Sequence, residues 1–103
     1  MNIRAMNRQA LKVSALMRTL AHPKRLILLC QLTAVERSVG ELAALVDMRE
    51  AAVSQQLALL RREGLVRTRR QGQTVWYTLS RSDVAKLLQF LYDTYCGDTA
   101  ARA

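Results

Sequence analysis

A mainly α fold carrying a β-hairpin wing, in the order four helices, two strands and a fifth helix, is what this 103-residue sequence predicts. Three observations predict it. Apolar residues recur at helical spacing up to Leu60, and Gly64 stops that pattern. Two β-rich runs then flank Gln71-Gly72-Gln73, after which helical spacing returns at Val84.

The elements follow in order. From Ala5 to Leu20 the residues Met6, Ala10, Leu11, Val13, Leu16, Met17 and Leu20 make the first helix. Pro23 disfavours helix at His22 and suits the first turn of a second helix running through Lys24 to Leu32. A short third helix is expected over Val39–Val46. Asp47 with Glu50 has the spacing of a capping box, so Asp47 is expected to cap a fourth helix reaching about Glu63. Its buried stripe is Ala52, Val53, Leu57 and Leu60. Leu65–Arg70 and Thr74–Leu79 are the strands of a hairpin bent at its glycine. Trp76 and Tyr77 are expected to pack that hairpin against the helices. Ser80 or Ser82 is expected to cap a last helix carrying Val84, Leu87, Leu88, Leu91, Tyr92 and Tyr95. Two short helices joined tightly, then a basic hairpin, describe a winged helix-turn-helix (α1-α2-α3-α4-β1-β2-α5).

One domain over residues 1–103 is expected, since two cores do not fit this length, with about 1–5 and 98–103 fraying. A domain this small commonly gains stability by oligomerising. The chain carries 16 Lys and Arg, 13 of them Arg, against 8 Asp and Glu, for a net charge of +8. That excess favours a polyanionic partner, most simply nucleic acid. No apolar run approaches the ~20 residues that span a bilayer, and the first residues lack the core of a signal peptide. A cytoplasmic protein without membrane association is expected. In that compartment two cysteines are not a structural disulfide framework.

The fourth helix is the expected major-groove reader. Gln55 and Gln56 carry amides suited to adenine edges, and Ser54 can donate to a phosphate or a base. Arg49, Arg61 and Arg62 flank them at the helix ends. The hairpin tip brings Arg69, Arg70 and Gln73 to the phosphate backbone or the minor groove. No nucleophile–base set and no Gly-rich phosphate loop is visible, so an enzyme is not expected, nor a cofactor. Cys30 and Cys96 stay open at this point, either as small buried hydrophobes or as a reactive pair.

The chain resembles the ArsR family of winged-helix repressors from about Leu11 to Cys96. The resemblance is carried by Leu20-Ala21-His22-Pro23-Lys24-Arg25-Leu26, Ser38-Val39-Gly40-Glu41-Leu42-Ala43, the stretch Ala52 to Arg61, Gly64-Leu65-Val66 and Arg69 to Tyr77. It implies a homodimer built through the first and last helices that binds an inverted-repeat operator in double-stranded DNA. One departure is the Gln at 56 where relatives carry His, so a relative's operator is not transferred. The third helix lacks the Cys-x-Cys-type motif of arsenic, cadmium and lead sensors. The last helix has Asp83 and Asp93 but no His, and His22 is read as structural, so no metal is expected. Cys30 and Tyr95-Cys96 match the sulfide- and persulfide-responsive BigR/SqrR-like branch, which is similar to HlyU. That likeness implies that reactive sulfur species join Cys30 to Cys96 as a di- or polysulfide and weaken DNA binding. The alternative is a redox-insensitive or generally oxidant-responsive regulator, or an architectural DNA-binding protein.

Overall fold

A computed structural model describes residues 1–97; the expected fraying of 98–103 lies outside the described residues. Helix α1 spans Ile3–Leu20, α2 Pro23–Cys30, α3 Val39–Val46 and α4 Glu50–Arg62. Strands β1 (Val66–Gln71) and β2 (Thr74–Leu79) precede α5 (Ser82–Cys96). The order is the one expected of a winged helix-turn-helix.

Local chemistry sets most boundaries. Asn2 caps α1, its side chain accepting from the Ala5 amide at 3.2 Å, so the helix starts two residues before the expected Ala5. Pro23 occupies the first turn of α2. The capping box sits one helix earlier than expected. Ser38 and Glu41 close it at the start of α3, where the Glu41 amide donates to Ser38 Oγ and the Ser38 amide donates to Glu41 Oε1. Asp47 instead ends α3 in the left-handed conformation, at φ 53°. Arg49 begins α4 without a side-chain cap, and Arg81 likewise begins α5 in place of the expected serine caps. Asp47 loses its expected role because the connection between α3 and α4 must reverse within three residues. Asp is among the few side chains that tolerate the backbone geometry this turn demands.

The core gathers Leu28 and Leu29 of α2, Leu42 of α3, Val53, Leu57 and Leu60 of α4, Leu65, and Val84 and Leu88 of α5. Ala52 is only half-buried and drops out of the expected stripe. Helix α1 contributes little to this core. Only Thr19 and Leu20 are buried along it, while Ile3, Met6, Leu11, Val13 and Met17 stay exposed. Phe90, Tyr92 and Tyr95 of α5 are exposed as well.

The hairpin pairs Val66 with Leu79 through Gln71 with Thr74, leaving Gly72 at φ 60° in the turn. Its base is tied down by a bridge between Arg37 and Tyr77, with reciprocal backbone bonds of 3.1 and 2.9 Å. Tyr77 packs on the core as expected. The Trp76 indole nitrogen is buried and has no hydrogen-bond partner among the described residues.

Candidate nucleic-acid interface and cysteine pair

Helix α4 turns Val53, Leu57 and Leu60 inward, and that choice decides what its other face presents. Ser54 and Gln55 emerge exposed in the middle of the helix, with Arg49 at its start and Arg61 and Arg62 at its end. Residues one apart on a helix point about 100° apart, so Gln56 falls on the flank of this face and is half-buried.

Gln56 is not free to offer both halves of its amide. Arg25, in the first turn of α2, donates from Nε to Gln56 Oε1 at 3.0 Å and from Nη1 to the Thr19 carbonyl at 3.1 Å. Thr19 Oγ1 in turn donates to Glu63 Oε2, just past the end of α4. The end of α1 is therefore tied to α4 at that helix's middle, through Arg25, and just past its C-terminal end. Of the two glutamines expected at adenine edges, Gln56 thus has a guanidinium on one lone pair of its amide oxygen.

The wing carries Arg69, Arg70 and Gln73, all exposed. Arg69 is engaged with its own protein. Its Nε and Nη2 donate to the two carboxylate oxygens of Glu36 at 3.0 and 2.9 Å, and Nη1 donates to Gln71 Oε1 at 3.2 Å. The guanidinium beside Glu36 holds that carboxyl below its ordinary pKa, with a lesser contribution from Arg67. Arg70 makes no such pair among the described residues. Glu36 was not singled out from the sequence, since it lies 33 residues from Arg69 in an unstructured connection. Its only sequence signal is an isolated acid in a basic chain.

Cys30 ends α2, half-buried, and Cys96 ends α5, exposed; both are free thiols. Helix α2 packs on α5, and between them lies a cavity of about 280 Å³ lined by Cys30, Gln31, Thr33, Leu88, Gln89 and Tyr92. Burial pushes the Cys30 thiol above its ordinary pKa, and the charge of Cys96 adds to the rise. No group of three or more His, Cys, Asp or Glu side chains gathers among the described residues to hold a metal ion. None of the helices among them is long and apolar enough to cross a membrane.

Residues 22–68 match the family described as bacterial regulatory protein, arsR family. The transcriptional activator HlyU of Vibrio cholerae is 43% identical over 96 residues, covering 93% of this chain and 89% of the relative. A biofilm growth-associated repressor of Agrobacterium fabrum is 46% identical over 92 residues, covering 89% and 79%. Among solved structures, the repressor BigR from Xylella fastidiosa superposes with a TM-score of 0.88 at 40% identity, over 93% of this chain and 98% of that one. A homodimeric winged helix-turn-helix DNA-binding domain from Mycobacterium bovis superposes with a TM-score of 0.72 at 31% identity, over 87% of each chain.

Proposed function

The chain belongs to the arsR family of bacterial regulatory proteins and is a DNA-binding transcriptional regulator, and from that premise we propose that it is a dimeric repressor released from DNA when reactive sulfur bridges Cys30 and Cys96. The observation that carries the sulfur half is that Cys30 and Cys96 end two helices packed on each other, α2 and α5, with Cys30 lining the cavity between them.

For DNA, the exposed run Ser54-Gln55 between Arg49 and Arg61 supports α4 as the helix that enters the major groove. Gln55 is exposed, with both amide groups unbonded among the described residues and open to an adenine edge, and Arg70 and Gln73 on the wing reach the backbone. For assembly, the exposed apolar residues of α1 and α5 favour a partner copy across those helices, as large apolar patches on a small domain mark interaction surfaces. A twofold dimer reads an inverted repeat.

For sensing, the two thiols have different tasks. Cys96 faces solvent, where its thiolate attacks the outer sulfur of a low-molecular-weight persulfide. A new S–S bond forms, the donor's S–S bond breaks, and the donor leaves as its thiolate. Cys30, once deprotonated, attacks Cys96 Sγ of the resulting persulfide and expels hydrosulfide. The protein has lost two electrons and the sulfane sulfur has gained them. A second transfer onto the Cys96 persulfide before closure lengthens the bridge by one sulfur. The bridge joins α5, a proposed dimer helix, to α2, which packs directly on α3 of the reading unit. A change in α5 then alters the spacing of two half-sites, and a coupling of ~1–3 kcal/mol is enough for release.

Intact-mass and peptide analysis after treatment with a persulfide donor is expected to find Cys30 joined to Cys96, with or without added sulfur, in step with loss of operator binding. Release from DNA with both thiols unmodified would overturn the sensing role. A Cys30→Ser/Cys96→Ser protein that is still released by the donor would return the chain to a regulator with structural cysteines.

A further inference from the structure

We propose that Arg25 sets the base preference of Gln56, turning it from an adenine reader into a chiefly donating side chain that selects guanine. The inference rests on α4 being the reading helix and concerns one position within each half-site.

The chemistry is constrained by what Arg25 lacks. A guanidinium has five donors and no acceptor, so only the carbonyl oxygen of a glutamine can face it. The Gln56 amide orientation is therefore fixed, with Oε1 toward Arg25 at 3.0 Å and Nε2 turned away. Arg25 is itself held, since its Nη1 is anchored on the carbonyl of Thr19, a residue only 7% exposed. The half-buried Gln56 stem leaves the amide little freedom to swing out. The oxygen keeps a second lone pair, but a charged donor on the first draws density from it and fixes its direction, so a base N–H finds a poorer acceptor there.

Bidentate recognition of adenine needs both amide groups aimed at one edge, the oxygen accepting from N6 and the nitrogen donating to N7. Gln56 supplies the second half in full and the first only weakly, with one lone pair of Oε1 held by Arg25. Guanine presents two acceptors, O6 and N7, side by side in the major groove and asks for no acceptor in return. A pair of N–H donors on Nε2 suits that edge. Gln55, one position earlier and with no side-chain hydrogen bond among the described residues, keeps the full adenine-reading set. Two neighbouring glutamines are thus given different preferences by one residue on another helix.

The test selects operators from randomised duplexes with wild type, Arg25→Met, Gln56→Ala, the Arg25→Met/Gln56→Ala double variant and Gln55→Ala. It then measures Kd on duplexes differing by guanine or adenine at the position that Gln56→Ala affects. Taking this ratio for one preparation cancels its active fraction. Wild type is expected to favour guanine there. Arg25→Met is expected to move the ratio about tenfold toward adenine, the scale of one bidentate contact, and to do nothing in the Gln56→Ala background. Arg25→Lys should give an intermediate ratio, since a single ammonium holds the oxygen less firmly. The proposal is overturned if Gln56→Ala leaves the selected sequence unchanged, if wild type favours adenine at that position, or if Arg25→Met shifts the ratio equally without Gln56. Should Arg25→Met not fold, the Gln56→Ala selection and the wild-type ratio still decide the matter. If Gln55→Ala also leaves the selected sequence unchanged, α4 is not the reader. If Gln55→Ala alone changes it, only the role given to Arg25 and Gln56 fails.

Discussion

Replacing Glu36 by Gln is expected to make DNA binding tighter and more salt-sensitive. Glu36 occupies the Arg69 fork through two bonds of 3.0 and 2.9 Å, so in the free protein that guanidinium is withheld from phosphate. Each phosphate neutralised steepens the fall of log K with log salt by about 0.9, so freeing one arginine per wing steepens it by about 1.8 in a dimer. Over a rise from about 50 to about 200 mM salt this amounts to about 3.5-fold extra loss of affinity per wing, about 12-fold for two. The measurement is fluorescence anisotropy on an operator and on a random duplex across that salt range. Tightening should appear on both duplexes at low salt, because phosphate contacts carry no sequence information. The control is Arg69→Ala, which is expected to change the slope little in wild type and to remove the added slope from Glu36→Gln. A Glu36→Gln slope equal to wild type, or a steepening that survives Arg69→Ala, would refute the reasoning. Acid should act in the same direction. Because Arg69 lowers the Glu36 pKa, the pair persists through the usual carboxylate range and is lost only as pH falls through that lowered value.

Three further outcomes are expected. Gln55→Ala should reduce operator affinity by about fivefold to a hundredfold while leaving random-duplex binding nearly unchanged in a competition assay, and equal losses on both would contradict its role as a base reader. Burial raises the Cys30 pKa, so ring closure, followed by quenched mass spectrometry, should accelerate about tenfold per pH unit from neutral upward; a flat profile would remove Cys30 as the closing nucleophile. Gly64 sits at φ 78° with nothing within 4 Å of an added Cβ, so Gly64→Ala should cost only the conformational penalty of about 1–2 kcal/mol. Calorimetry should record it as a Tm fall of about 4–8 °C per kcal/mol.

What the chain made legible was whatever its local pattern encodes. Helical spacing, Pro23, Gly64 and Gly72 give the element order, and the inward stripe of Val53, Leu57 and Leu60 fixes which face of α4 opens to solvent. The cap assignments fared worse. Ser38-Glu41 and Asp47-Glu50 both have the required spacing, at the starts of α3 and α4, and the tight turn between those helices puts Asp47 in the left-handed conformation, so that only the first box forms. The contacts that differentiate the interface were not legible at all. Arg25 meets Gln56 across 31 positions and Arg69 meets Glu36 across 33, distances over which periodicity carries no information. Both arginines looked like members of one diffuse positive surface, whereas the fold gives each a private acceptor. The thiol pair was legible only as a resemblance, since residues 66 apart by number (96 minus 30) share no local signal. The packing of α2 on α5 supplies the physical reason to consider them together.

The wing contains the chain's single tryptophan, and its indole N–H is buried with no acceptor among the described residues. Trp76 stands directly across from Arg69 in the strand register. An indole so placed is an intrinsic optical probe, free of competing tryptophans, that reports on one cross-strand neighbour. Emission from an unbonded, dry indole lies toward the blue, and a guanidinium arriving at or leaving the strand edge shifts it through the local field. Its emission is expected to follow whether the wing's arginine is turned inward to its carboxylate or outward to a duplex.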